Sequence, residues 1–214
     1  MSGDAALPKR TVRSLPTALT IACVLAGYAF FAGGGKFDFR RLGTWEESYY
    51  ASLAEGFSRG HLNIWIRPDP RLIALPYPYD FKARGGINYL WDASYLNGKY
   101  YLYASPLPAL LGYMPLRLLR GAYPPDVLIA AVFSVWAFLA ALAFTRRALV
   151  LSGRRPLIPF ALWVLFIGLG NVVMFVLTTV HMYEVAVMTG MAMTATWAFA
   201  LLKFGEAPTR GRAV

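Results

Sequence analysis

Cysteine, histidine and charge are all scarce in this chain of 214 residues. The one cysteine, Cys23, lies inside an apolar run, so no intrachain disulfide can brace the fold. The two histidines, His61 and His181, are too few and too far apart to suggest a zinc site. No cofactor or metal motif is evident, and divalent-metal dependence is not readable from the residues. Only 15% of residues are charged against 57% hydrophobic, and the mean hydropathy of +0.47 excludes an ordinary soluble domain.

Four runs are apolar and long enough to cross about 30 Å of hydrocarbon: Leu15–Gly35, Val127–Thr145, Pro156–Val180 and Val185–Leu202. The first has a basic start and an apolar middle, like a signal peptide. Phe30 and Phe31 spoil a small-x-small cleavage site, so it reads as an uncleaved anchor. The net charge of +10 could point to nucleic acid, but its placement points to topology. Lys9, Arg10 and Arg13, then Arg146, Arg147, Arg154 and Arg155, then Lys203, Arg210 and Arg212 flank the runs. By the positive-inside rule these flanks are cytoplasmic, which predicts both termini inside, in a plasma (inner) membrane, and no nucleic-acid partner. The expected fold class is an all-α integral membrane protein of about four transmembrane helices with one large extracytoplasmic loop.

That loop, 36–126, holds seven of the eleven acids within Lys36–Ala104. Tyr49, Tyr50, Leu53 and Phe57 recur at helical spacing and predict an interfacial helix over 45–59, ended by Gly60. Pro68, Pro70, Pro76 and Pro78 argue against regular structure up to Asp80. Asn97-Gly98 between aromatic-rich stretches predicts a β-hairpin over 88–104, pairing Tyr95 with Tyr100 on an apolar face. The segment 105–120 is apolar but short and proline-containing, so an interfacial or re-entrant helix is expected.

Candidate chemistry concentrates in the loop. Glu46 and Glu47 open the interfacial helix, where a carboxylate could take a proton from an acceptor hydroxyl. The plain alternative for Glu47 is a capping box with Thr44, and for Glu46 compensation of the helix dipole. Asp80 and Asp92 are candidate substrate ligands, or a turn cap and a solvated hairpin acid. His181 and Glu184 lie in a turn at the membrane edge, where ionisable groups suggest function but also fit a solvated turn. Arg67, Arg71, Arg84 and Lys99 could bind phosphate, or merely meet anionic lipid heads. The loop aromatics could stack on sugar rings or form an interfacial belt.

The order of parts resembles the GT-C membrane glycosyltransferases, among them the protein mannosyltransferase and aminoarabinose transferase families. Their loop opens Asp-Glu-x-x-Tyr-Ala, and here Glu46-Glu47-Ser48-Tyr49-Tyr50-Ala51 stands at that point, with Glu for the first Asp. Ser105-Pro106-Leu107-Pro108 resembles their Pro-Pro-Leu element. The likeness covers roughly Leu15 to Leu202. It implies transfer of a sugar from a polyprenyl-phosphate donor to an acceptor at the outer face, with Glu46 as general base and Glu47 beside it. Family members carry more spans, so the resemblance implies an N-terminal part, with a partner chain supplying the missing helices. The rival expectation is a non-enzymatic membrane protein whose loop binds a lipid, glycan or protein.

Overall fold

The computed structural model describes residues 14–42, 48–153 and 158–206. Three helices are long and apolar enough to span a membrane: α1 (Ser14–Ala32), α5 (Asp126–Leu151) and α8 (Met182–Glu206). Between α1 and α5 lie α2 (Tyr49–Ser58), α3 (Pro70–Ile73), the hairpin of β1 (Ser94–Leu96) and β2 (Lys99–Tyr101), a π-helical turn Ala109–Tyr113 and α4 (Met114–Arg120).

The stretch expected as one span over 156–180 is instead two short helices, α6 (Phe160–Leu169) and α7 (Val173–Thr178). Gly170 and Asn171 cause the break. The Asn171 side chain donates to the Ile167 carbonyl at 2.6 Å and accepts from the Val173 amide at 2.8 Å, closing one helix and opening the next. A period-based reading sees only the continuous apolar composition on either side.

α5 and α8 form the main helix pair. Trp136 donates to Thr196 at 3.0 Å, and ten residues further along α8 Glu206 accepts both Nε and Nη2 of Arg147. The two helices therefore run in the same direction, and α6 and α7 carry the chain back between them. α1 packs on α6, α7 and α5, with the buried Tyr28 phenol donating to the Gly168 carbonyl at 2.9 Å.

The polar segment differs from expectation in two places, the start of α2 and the helix α3. α2 starts at Tyr49 with Ser48 as N-cap, whose hydroxyl accepts from the Ala51 amide at 3.2 Å; the expected Thr44–Glu47 capping box lies outside the described residues. One side of α2 packs on the rest of the chain, with Tyr50, Ala51, Leu53, Ala54 and Gly56 buried. The proline-rich stretch does hold a helix, α3, because Pro70 occupies a first-turn position where its missing N–H is not needed. The hairpin pairs Ser94 with Tyr101, Tyr95 with Tyr100 and Leu96 with Lys99, the register a two-residue Asn97-Gly98 turn demands. Both turn residues sit in the left-handed region, at φ 49° and 74°. Tyr95 and Tyr100 are buried while Ser94, Leu96 and Lys99 are exposed.

This polar unit is fastened to the N-terminal ends of α5 and α8. Tyr113 donates to Asp126 at the start of α5, and Tyr183 in the first turn of α8 donates to Asp92 at 2.7 Å. Arg146, Arg147 and Lys203 lie toward the opposite, C-terminal ends of that pair.

Candidate functional site

One cleft in the polar unit has a volume of about 840 Å³ and lies between the 66–71 stretch, Asn88–Leu90 and the β2 residue Tyr100. Ile64, fully buried, pairs with Tyr100 through its amide at 2.9 Å, which brings the strand leading into α3 alongside the hairpin. Asp69 caps α3, accepting the Arg71 amide at 2.8 Å, and its carboxylate also takes Nε and Nη2 of Arg71 at 3.2 and 2.8 Å. The side-chain hydrogen bond from Arg71 is the main reason the Asp69 carboxyl is held below the usual aspartate range. Asp69 thus offsets Arg71, whereas the Arg67 guanidinium has no ion pair or hydrogen bond among the described residues. The cleft therefore carries one uncompensated cation beside the rings of Tyr89 and Tyr100. A phosphate accepts well from a guanidinium, so this lining suits an anionic headgroup.

A smaller cleft of about 280 Å³ adjoins it and shares the Asn88–Tyr89 wall. Arg84 lies over the rings of Tyr79 and Tyr89, its carbon 4.9 and 4.3 Å from their centroids, and donates to the Pro78 carbonyl.

Three other polar groupings lie in this unit or at its junctions with α5 and α8. Glu55 on α2 accepts from Arg59 at 2.6 Å, from the Tyr123 phenol at 2.9 Å and from Arg117, tying α2 to the end of α4. The hydrogen bond from Arg59 is the leading cause that lowers its pKa. Beneath, a buried chain runs from the Ala51 amide through Ser48 and Tyr113 to Asp126, with Ser48 and Tyr113 3.4 Å apart. Burial raises the Tyr113 phenol well above its ordinary value, and the Asp126 charge adds to it. Tyr50 stacks on Tyr113 at 6.1 Å and its buried phenol has no hydrogen-bond partner among the described residues. Its pKa is pushed up to about 12 by burial first and by Asp126 second. At the membrane edge, Tyr183 bridges Asp92 and the Tyr103 phenol.

The residues singled out from the sequence separate accordingly. Glu46 and Glu47 lie outside the described residues. Arg67 and Arg71 meet in the large cleft, and Arg84 lines the small one. Asp80 accepts from the Lys82 and Ala83 amides at 2.9 and 3.4 Å, the geometry of a turn cap. Asp92 accepts from Tyr183 and is not among the residues that line either cleft, although its neighbour Trp91 lines the smaller one. Glu184 accepts from the His181 amide at 3.0 Å across the first turn of α8, closing the helix start, with the exposed His181 side chain beside it. Lys99 is exposed on the hairpin, on the side opposite the buried tyrosines. Asp69, Asp126, Tyr113, Glu55 and Arg117 were given no functional role in the sequence reading. Asp126 gave one signal, an acid at the first position of the most apolar of the three long helices. Among the described residues no group of three or more His, Cys, Asp or Glu side chains could hold a metal ion.

Comparison of the chain with protein-family models, with curated proteins and with solved structures finds no match.

Proposed function

We propose that the protein is a membrane glycosyltransferase of GT-C type that transfers a sugar from a polyprenyl-phosphate donor at the extracytoplasmic face of the plasma membrane. The observation that carries this reading is the arginine-bearing cleft in a polar unit seated on the ends of apolar helices. Arg146, Arg147 and Lys203 lie toward the far ends of α5 and α8, so the positive-inside rule puts the cleft side outside. On this reading α6 and α7 together make a fourth, broken crossing, and α4 lies in the interface with Leu118 and Leu119 exposed by 86% and 81%.

Arg67, helped by Arg71, holds the donor phosphate while the prenyl chain follows the apolar helices into lipid. The acceptor hydroxyl attacks the anomeric carbon, and a new C–O bond forms there. The bond from that carbon to the phosphate oxygen breaks, and its electron pair leaves with polyprenyl phosphate. Arg67 stabilises the charge that develops on the leaving group. The hydroxyl proton passes to Glu46, with Glu47 adjacent.

The test is sugar transfer from short-chain polyprenyl-phosphate sugars by the chain in lipid nanodiscs, compared with Arg67→Ala. Loss of one charge-assisted phosphate contact, about 1.5–3 kcal/mol, predicts a drop of roughly ten- to hundredfold in kcat/KM. Equal transfer by Arg67→Ala removes the cleft from the reading.

A further inference from the structure

The loop between Tyr77 and Trp91 is braced from several sides. The Tyr79 phenol donates to the Tyr95 carbonyl at 2.8 Å and accepts from the Tyr95 amide at 2.6 Å, clamping the loop to the hairpin. Asp80 caps the next turn, Arg84 is stacked on two rings, and Gly86 takes φ 74°, which favours glycine. This bracing ends in an apolar display. Phe81 and Trp91, on the walls of the 280 Å³ cleft, are exposed by 75% and 73%. Exposed apolar rings gathered on one surface, as these two are on one cleft, mark a contact surface.

We propose that this cleft is a saccharide-binding site that takes one pyranose ring of a glycan against Trp91 and Phe81. Its chemistry fits that ligand. The axial C–H face of a pyranose lies flat on an aromatic ring, whose face is electron-rich. The Asn88 amide can both donate to and accept from ring hydroxyls, and the Arg84 guanidinium adds donors beside it. The volume, close to the lower end for small-molecule sites, suits a single ring rather than a peptide. The shared Asn88–Tyr89 wall sets this cleft directly beside the arginine cleft. Resting on the transferase reading above, the bound saccharide is the acceptor, so the product is a lengthened glycan.

The experiment measures binding without any donor. Saturation-transfer NMR is recorded on the protein in lipid nanodiscs, where no glycoside detergent competes. The probes are the methyl α- and β-pyranosides of glucose, galactose, mannose and N-acetylglucosamine. At least one binds saturably, and both Trp91→Ala and Phe81→Ala weaken it by about tenfold, the loss of one stacking wall. Trp91→Phe and Arg67→Ala retain binding, and retention by Arg67→Ala separates this cleft from the donor cleft. Both rings are exposed, so their removal leaves the fold intact. Saturable binding by none of the glycosides overturns the proposal, as does unchanged binding by both alanine variants. The lipid alternative is read from the emission that differs between wild type and Trp91→Phe. Quenching of that emission by brominated phospholipid, with no protection by glycoside, assigns the rings to the bilayer and also overturns the proposal.

Discussion

Replacing Gly168 by alanine should loosen α1 from α6, and the same change at Gly190 should not. A Cβ built at Gly168 would stand 2.5 and 2.6 Å from the two γ carbons of Val24 and 3.1 Å from Phe138. Val24 is fully buried, and a β-branched residue in a helix has one strongly preferred rotamer, so it cannot swing aside. The helices must therefore separate by roughly 1 Å to restore van der Waals contact near 3.5 Å. Overpacking of this kind costs about 1–3 kcal/mol. The separation also stretches the Tyr28 to Gly168 hydrogen bond, 2.9 Å now, which adds about 0.5–1.5 kcal/mol. The total is about 1.5–4.5 kcal/mol. At Gly190 on α8 nothing lies within 4 Å of the added carbon, so only helix propensity changes, and alanine is neutral or favoured by up to about 1 kcal/mol. Reversible unfolding by SDS in mixed micelles, followed by circular dichroism, gives both values. Adding Val24→Ala to Gly168→Ala should recover about 1 kcal/mol or more beyond additivity, because the clash is gone. Equal effects at the two glycines, or strict additivity with Val24→Ala, would refute the packing argument.

Three further outcomes follow from the polar unit. Glu55 has its folded-state pKa below the ordinary 4.5, with the Arg59 hydrogen bond as the first cause. Its contribution is complete above that value and is lost as pH falls below it, so amide exchange in α2 and α4 should quicken in acid, and Glu55→Gln should flatten this dependence. Tyr113→Phe removes the phenol donor from a carboxylate that is 8% exposed, and should cost about 1.5–3 kcal/mol by SDS unfolding, while Tyr123→Phe at the rim costs less. Tyr79→Phe breaks both links to the Tyr95 backbone, and hydrogen exchange at the Tyr95 amide should rise about tenfold or more with no change at α5.

Much of the scaffold was legible because its causes are local. A span announces itself by length and apolarity, and α1, α5 and α8 fall where the runs stand. Asn97-Gly98 fixes the hairpin register because both residues accept positive φ, and that register alone decides that Tyr95 and Tyr100 share the buried face. The break at Gly170 and Asn171 was hidden, since apolar composition masks a helix end made by one side chain. At α2 the cap is the hydroxyl of Ser48, a residue to which the sequence reading gave no capping role. The clefts were half-visible. Arg67, Arg71 and Arg84 stood out by charge, but their separation into two cavities depends on the 66–71 stretch and Asn88–Tyr89 coming together, contacts no spacing rule foretells. The Tyr113–Asp126 link was invisible for the same reason: burial makes it significant, and burial is a tertiary fact.

The most direct measurement is single-turnover transfer of labelled sugar from a panel of polyprenyl-phosphate donors to glycoside acceptors, by the wild type and by Glu46→Gln in nanodiscs. General-base catalysis is worth about 10²–10⁴-fold, so the account predicts transfer with at least one donor and a loss of that order in Glu46→Gln, with Arg67-dependent donor binding kept. Transfer by Glu46→Gln at the wild-type rate, or none by the wild type with any donor, would contradict it.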